Sequence, residues 1–185
     1  MLISHPAFDI YNCVFRMLQL MTFMKQDEVE LDRLRIWDFY LTFPNEARKI
    51  SYPNSLSDLR GVFKKKQPNP YEDLIDPKRI IERMKSYQLS ALKCVASYGL
   101  IDSKLLSKNI IKRTDKALPQ ELIEKFNELT PEKSNIIKLL VGFRELPLYG
   151  NLGLKSRTGL RGSLKSMFYK FSQFFKFCNS SFLFF

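Results

Sequence analysis

The stretch Leu34-Arg35-Ile36-Trp37-Asp38-Phe39-Tyr40-Leu41-Thr42-Phe43-Pro44 constrains this chain more than any other. It packs the only tryptophan, three further aromatics and three aliphatics into eleven residues and then stops at a proline. Leaving so much contiguous apolar surface in water is costly, so the segment is expected inside a core or against a partner. Leu34, Trp37 and Leu41 fall on one side of a helix, and Phe39 and Phe43 on another. One side is expected to pack on a neighbouring helix. Trp37, Phe39, Tyr40 and Phe43 are therefore the candidate partner-interface residues.

The preceding residues supply that neighbour. Pro6 suits a first helical position, where its missing N–H is no loss. From Ala7 to Met24 the positions Ile10, Val14, Met17, Met21 and Met24, with Phe8, Tyr11, Phe15 and Leu18 beside them, make a wide apolar face. A second helix is expected from about Glu30 through Tyr40, ended by Pro44.

Further along, Pro53, Pro68, Pro70 and Pro77 mark residues 53–77 as a boundary region, with a short helix around Leu56, Leu59, Val62 and Phe63. Asp76-Pro77 reads as a helix cap and first residue, with Ile80, Ile81 and Met84 facing inward up to about Lys85. A second helix over Tyr87 to Tyr98 follows, stopped by Gly99, and Asp102 or Ser103 caps a third. Short helices joined by tight turns predict a helix-turn-helix or winged-helix-like module. Pro119 to Leu129 and the strong start Thr130-Pro131-Glu132 predict two more helices. A hairpin or extended strand is expected around Leu152 to Leu160. The predicted class is mainly α. Its parts are a helical N-terminal part (1–60), a linker (61–75), a winged-helix-like segment (76–145) and a basic, Phe-rich tail (146–185).

Charge separates the tail from the body. The chain of 185 residues carries a net charge of +11. No acid follows Glu145, whereas Lys155, Arg157, Arg161, Lys165, Lys170 and Lys176 do. Basic residues also decorate the winged-helix-like segment. Arg79, Arg83, Lys85, Lys155 and Arg157 are the candidate nucleic-acid contacts, since phosphate binding needs such dispersed basic surface. The helix over Tyr87 to Tyr98, however, carries only Lys93 as a charge, while a groove-reading helix presents several polar groups. That favours a module used for protein contacts. The tail beyond Leu164 holds eight of the sixteen phenylalanines, interleaved with lysine and serine, and is open to a membrane-surface or partner-docking reading.

Reactive constellations are missing from the pattern. Gly150-Asn151-Leu152-Gly153-Leu154-Lys155-Ser156 has two residues between its glycines and a leucine before the lysine, which does not suit a phosphate-binding loop. His5 is the only imidazole, and Cys13, Cys94 and Cys178 lie far apart, so neither a zinc site nor a disulfide framework is expected. No catalytic residue, cofactor site or metal site is assigned, and the chain is not expected to be an enzyme. No apolar run approaches the ~20 residues that span a bilayer, so a cytoplasmic protein is expected.

Three blocks carry a resemblance: Ser4-His5-Pro6-Ala7-Phe8-Asp9, Asp38 to Pro44, and Tyr87-Gln88-Leu89-Ser90-Ala91-Leu92 leading to Gly99-Leu100-Ile101-Asp102. Together they resemble the middle component of bacterial ABC-three-component systems, most of all the type in Lamassu-like anti-phage and anti-plasmid defence operons. The resemblance covers roughly residues 1–160. It implies a small non-catalytic subunit joining an SMC-like ATPase, which senses foreign or abnormal DNA, to a toxic effector, often a nuclease. A DNA backbone contact within that complex fits the basic residues, and a membrane partner is not expected. The alternative is a free-standing basic DNA-binding regulator of helix-turn-helix type.

Overall fold

The computed structural model describes residues 5–25, 28–69 and 73–160, and the Phe-rich segment beyond residue 160 lies outside them. The described residues are mainly helical. A 3-10 turn (Pro6–Phe8) leads into α1 (Ile10–Met24), followed by β1 (Val29–Glu30), α2 (Leu31–Thr42) and a 3-10 stretch (Pro44–Lys49). Next come α3 (Ser57–Lys64), α4 (Pro77–Ser97), α5 (Ser103–Leu106), β2 (Ile110–Ile111), α6 (Gln120–Asn127), α7 (Pro131–Gly142) and α8 (Leu154–Arg157).

The aromatic block is α2, and α2 is the hub. Ten of its residues, Leu31 and Arg33 to Leu41, are buried all round the helix. A helix with no solvated face has neighbours on every side, and α2 contacts α1, α4, α7 and the Pro44–Lys49 turn. α1 packs most extensively along α4. One hydrophobic core runs from Ala7 through Met84 and Leu92 to Leu140, Leu154 and Leu160, so the 1–60 and 76–145 stretches share it.

Local capping follows the sequence closely. Asp76 Oδ1 accepts from Arg79 N–H at 3.0 Å, with Pro77 as first residue of α4. Thr130 Oγ1 accepts from Lys133 N–H at 3.2 Å ahead of Pro131, and Asp102 Oδ1 accepts from the Lys104 and Leu105 amides. Gly99 stops α4 at φ +68°, a left-handed conformation that glycine adopts without strain.

Three local expectations change. The first helix starts later: Asp9 Oδ1 accepts from Asn12 N–H at 2.8 Å and caps α1, leaving Pro6–Phe8 as a separate turn. The two helices expected between Pro77 and Tyr98 are one helix of 21 residues. No proline or glycine interrupts them, and the inward row Ile81, Met84, Gln88, Ala91, Leu92 and Val95 keeps helical spacing throughout. The extended segment expected around Leu152 to Leu160 is instead α8, whose start is a tight turn in which Leu154 N–H donates to Pro147 O at 2.8 Å.

β2 pairs antiparallel with β1 from the N-terminal part, Val29 opposite Ile111 and Glu30 opposite Ile110. Ile101 and Arg113 form one isolated bridge. β2, which follows α4 and α5, thus takes its partner strand from ahead of α2.

Candidate interaction groove

Charges buried in α2 need partners, because an isolated ion in a low-dielectric interior is strongly disfavoured. Asp38, fully buried, accepts from Arg16 Nε of α1 at 2.6 Å and from Gln88 Nε2 of α4 at 2.9 Å. Gln88 Oε1 accepts in turn from Arg35 Nε at 3.0 Å. Arg35 also donates to Asp32 Oδ1 at 3.3 Å and to Ile81 O at 3.4 Å. Asp32 Oδ2 accepts from Lys155 Nζ of α8 at 2.6 Å. A continuous polar chain, Arg16–Asp38–Gln88–Arg35–Asp32–Lys155, thus crosses the core and links α1, α2, α4 and α8.

Burial opposes the Arg16 charge, but the Asp38 carboxylate and its hydrogen bond outweigh that and hold the guanidinium above its ordinary pKa. For Arg35 burial dominates and lowers its pKa, although Asp32 and Glu82 oppose it. Arg33 lies in the first turn of α2. It donates to the carbonyls of Phe143 (3.1 Å) and Leu146 (2.9 Å) just past the end of α7, where a cation is favoured.

One end of this chain holds a surface feature. Arg16 Nη1 donates to Pro6 O at 2.8 Å, which ties the Pro6–Phe8 turn to the core. Within the turn His5 Nδ1 accepts from Ala7 N–H at 3.1 Å. The turn faces the end of α2, and together they wall a groove of about 530 Å³ lined by His5, Phe8, Phe43, Pro44, Leu74 and Ile80, with Thr42, Asn45 and Glu132 completing it. His5 stacks on Phe43 with ring centroids 5.2 Å apart and planes 11° apart. Phe8 lies 6.2 Å from His5 and 5.8 Å from Tyr87, and the Arg83 guanidinium sits 4.5 Å over the Phe8 ring. The Leu74 lip is fixed from below: its N–H donates to Glu46 Oε1 at 3.0 Å, and Lys49 Nζ donates to the same buried carboxylate at 2.8 Å. Burial, and then the Arg16 charge, lower the His5 pKa below its ordinary value.

The candidate interface residues divide. Trp37, Phe39 and Tyr40 are at most 2% exposed and belong to this chain's own core, so none of them presents surface to a partner. Phe43, half-buried, lines the groove. The candidate phosphate contacts divide too. Arg79 and Arg83 are exposed one turn apart on α4, and Lys85 is half-buried. Lys155, expected on the surface, is 4% exposed, paired with Asp32 and 4.4 Å from the Tyr149 ring centroid. Arg157 donates to Leu152 O at 2.7 Å and to Ser51 O at 3.1 Å, so its guanidinium pins the α8 turn to the loop before α3. The five basic residues therefore do not make one footprint.

Sequence reasoning assigned no role to Arg16, Asp38, Arg35 or Gln88. The available signal was the charge embedded within the aromatic block itself. His5 is the only imidazole in the sequence, and its place beside Phe43 depends on the tertiary fold. Among the described residues no group of three histidine, cysteine or acidic side chains is disposed to hold a metal ion. Cys13 is buried, and desolvation, reinforced by Asp38, pushes its thiol pKa up to about 12, which keeps it a packing group.

The family model of the ABC-three component (ABC-3C) system Middle Component 5 matches residues 2–164. The chain belongs to that family. The match takes in every residue of the polar chain and of the groove in this middle component. No curated protein and no solved structure matches the chain. None of the middle component's helices among the described residues is long and apolar enough to cross a membrane.

Proposed function

We propose that this middle component is a non-catalytic bridge that joins an SMC-like ATPase to a toxic effector of nuclease type in a Lamassu-type defence complex. The observation that carries the reading is membership of a middle-component family over residues 2–164, since such a component has its partners within a multi-component system. The physical character of the chain supports it. The buried ionic side chains of α2 are engaged in holding helices together, and the groove is walled by aromatic and aliphatic side chains, a lining suited to a protein contact. In the mechanism proposed, the subunit holds the effector inactive on the ATPase until DNA binding rearranges the ATPase heads.

Co-expression with the genes beside it, followed by size exclusion, tests the reading. The chain is expected to elute with the ATPase in one complex. Elution as a lone monomer, with no ATPase bound, overturns it.

A further inference from the structure

The groove differs from an ordinary surface dimple in how its charges are arranged. Arg83 is exposed yet oriented, because its guanidinium lies over the Phe8 ring and cation–π attraction holds it there. Arg79 is exposed one turn earlier on the same face of α4. Glu82, the acid between them, reaches Arg35 at 3.8 Å, and among the described residues neither Arg79 nor Arg83 has a carboxylate partner. Two guanidinium groups with no carboxylate partner among the described residues thus belong to α4 beside Phe8 and Ile80 of an apolar trough also walled by Phe43, Pro44 and Leu74. Ile75 is fully exposed next to the Leu74 lip and extends the apolar surface outward.

We propose that this groove binds a protein segment carrying an apolar anchor followed closely by a carboxylate, the anchor seated against Phe43 and Ile80 and the carboxylate met by Arg83 with Arg79 beside it. The inference rests on the bridging reading and deepens it by naming the chemistry of what the bridge grips. A guanidinium held over a ring face keeps its outer N–H groups available as a fork, the donor set that carboxylates accept bidentately. Nucleic acid fits less well. Single-stranded bases bind by stacking on free aromatic faces, whereas His5 covers one face of Phe43 and Arg83 covers one of Phe8. Glu132 in the lining is ion-paired with Lys66, and Lys155 is buried and does not line the groove.

The test pans a random dodecapeptide display library on the full chain and then titrates a fluorescein-labelled peptide of the selected consensus. The selected peptides are expected to share an aromatic or branched apolar residue followed within one helical turn by an acid. Arg83→Glu is expected to weaken the consensus peptide by about tenfold or more. A peptide with lysine in place of its acid is expected to regain binding on that variant, which shows that the variant is folded. Selected peptides without an acidic bias, equal affinity for wild type and Arg83→Glu, or a labelled single-stranded oligonucleotide that binds more tightly than the peptide would each overturn the proposal. Should any of these occur while the complex with the ATPase still forms, the bridging reading stands and the groove assignment alone is lost. Should the complex fail while peptide selection succeeds, the reverse holds.

Discussion

Replacing Asp38 with alanine removes the centre of the polar chain. Its carboxylate is fully buried and accepts from Arg16 and Gln88. Once it is gone, the Arg16 guanidinium, only 8% exposed, keeps the Pro6 carbonyl as an acceptor but loses its carboxylate partner. Breaking a buried pair by deleting one partner costs about 3–5 kcal/mol, because the remaining charge stays desolvated. Against a total stability of about 5–15 kcal/mol, that is a large fraction. Exchanging both partners for apolar residues of similar size, Arg16→Met with Asp38→Leu, removes the stranded charge. It is expected to cost far less than the sum of the two single changes. Urea unfolding followed through Trp37 fluorescence suits the assay, since the only tryptophan lies in the α2 core. With a urea slope of about 1–3 kcal/mol per molar, the Asp38→Ala midpoint should fall by roughly 1–5 M. Coincident circular dichroism transitions check that unfolding is two-state. A loss below about 1 kcal/mol for Asp38→Ala, or a double variant whose loss equals the sum of the singles, refutes the reasoning.

Lys155→Ala is expected to lower stability by about 1–3 kcal/mol, since Asp32 keeps Arg35 but loses a buried charged donor. Duplex-DNA affinity of the isolated chain should not change with it, and a DNA titration of this variant beside its denaturation curve separates the two roles. Gly153→Ala is expected to destabilise by about 1–3 kcal/mol, visible as a lower Tm, because a Cβ there would lie 2.1 Å from Tyr149 O and 2.9 Å from Pro147 O. His5 is the only histidine, so its ring protons can be titrated by NMR without ambiguity, and the pKa is expected below the ordinary histidine value. Because the folded state favours neutral His5, its contribution to stability is present above the unfolded pKa of about 6.5 and is lost as pH falls through the depressed folded value. A folded pKa at or above the ordinary value contradicts the stacked, Arg16-facing geometry.

Features governed by nearest neighbours were legible in the sequence. Asp76-Pro77, Thr130-Pro131 and Gly99 act through hydrogen bonds or backbone preferences within a few residues, and they start two helices and stop one where expected. The continuity of α4 was hidden by Gln88, a polar residue in an otherwise apolar row. It occupies a core position only because Arg35 and Asp38 come from another helix to meet it. For the same reason the embedded charges of α2 concealed that it is buried on every side. Arg33, Arg35 and Asp38 suggest a solvated face until their partners 22 to 113 residues away are known. Lys155 is a further case, a cation that composition assigns to the surface and Asp32 draws inside. The groove combines a turn at residue 5, the end of α2, a loop at residue 74 and the first turn of α4, and nothing local brings these together.

The central claim is that the chain connects two other proteins. The measurement that tests it most directly determines the mass in solution of the ATPase and effector encoded beside this gene, mixed with and without the middle component. The account predicts a complex containing all three when the chain is present and separate ATPase and effector when it is omitted. Equal association of ATPase and effector in its absence would contradict the account.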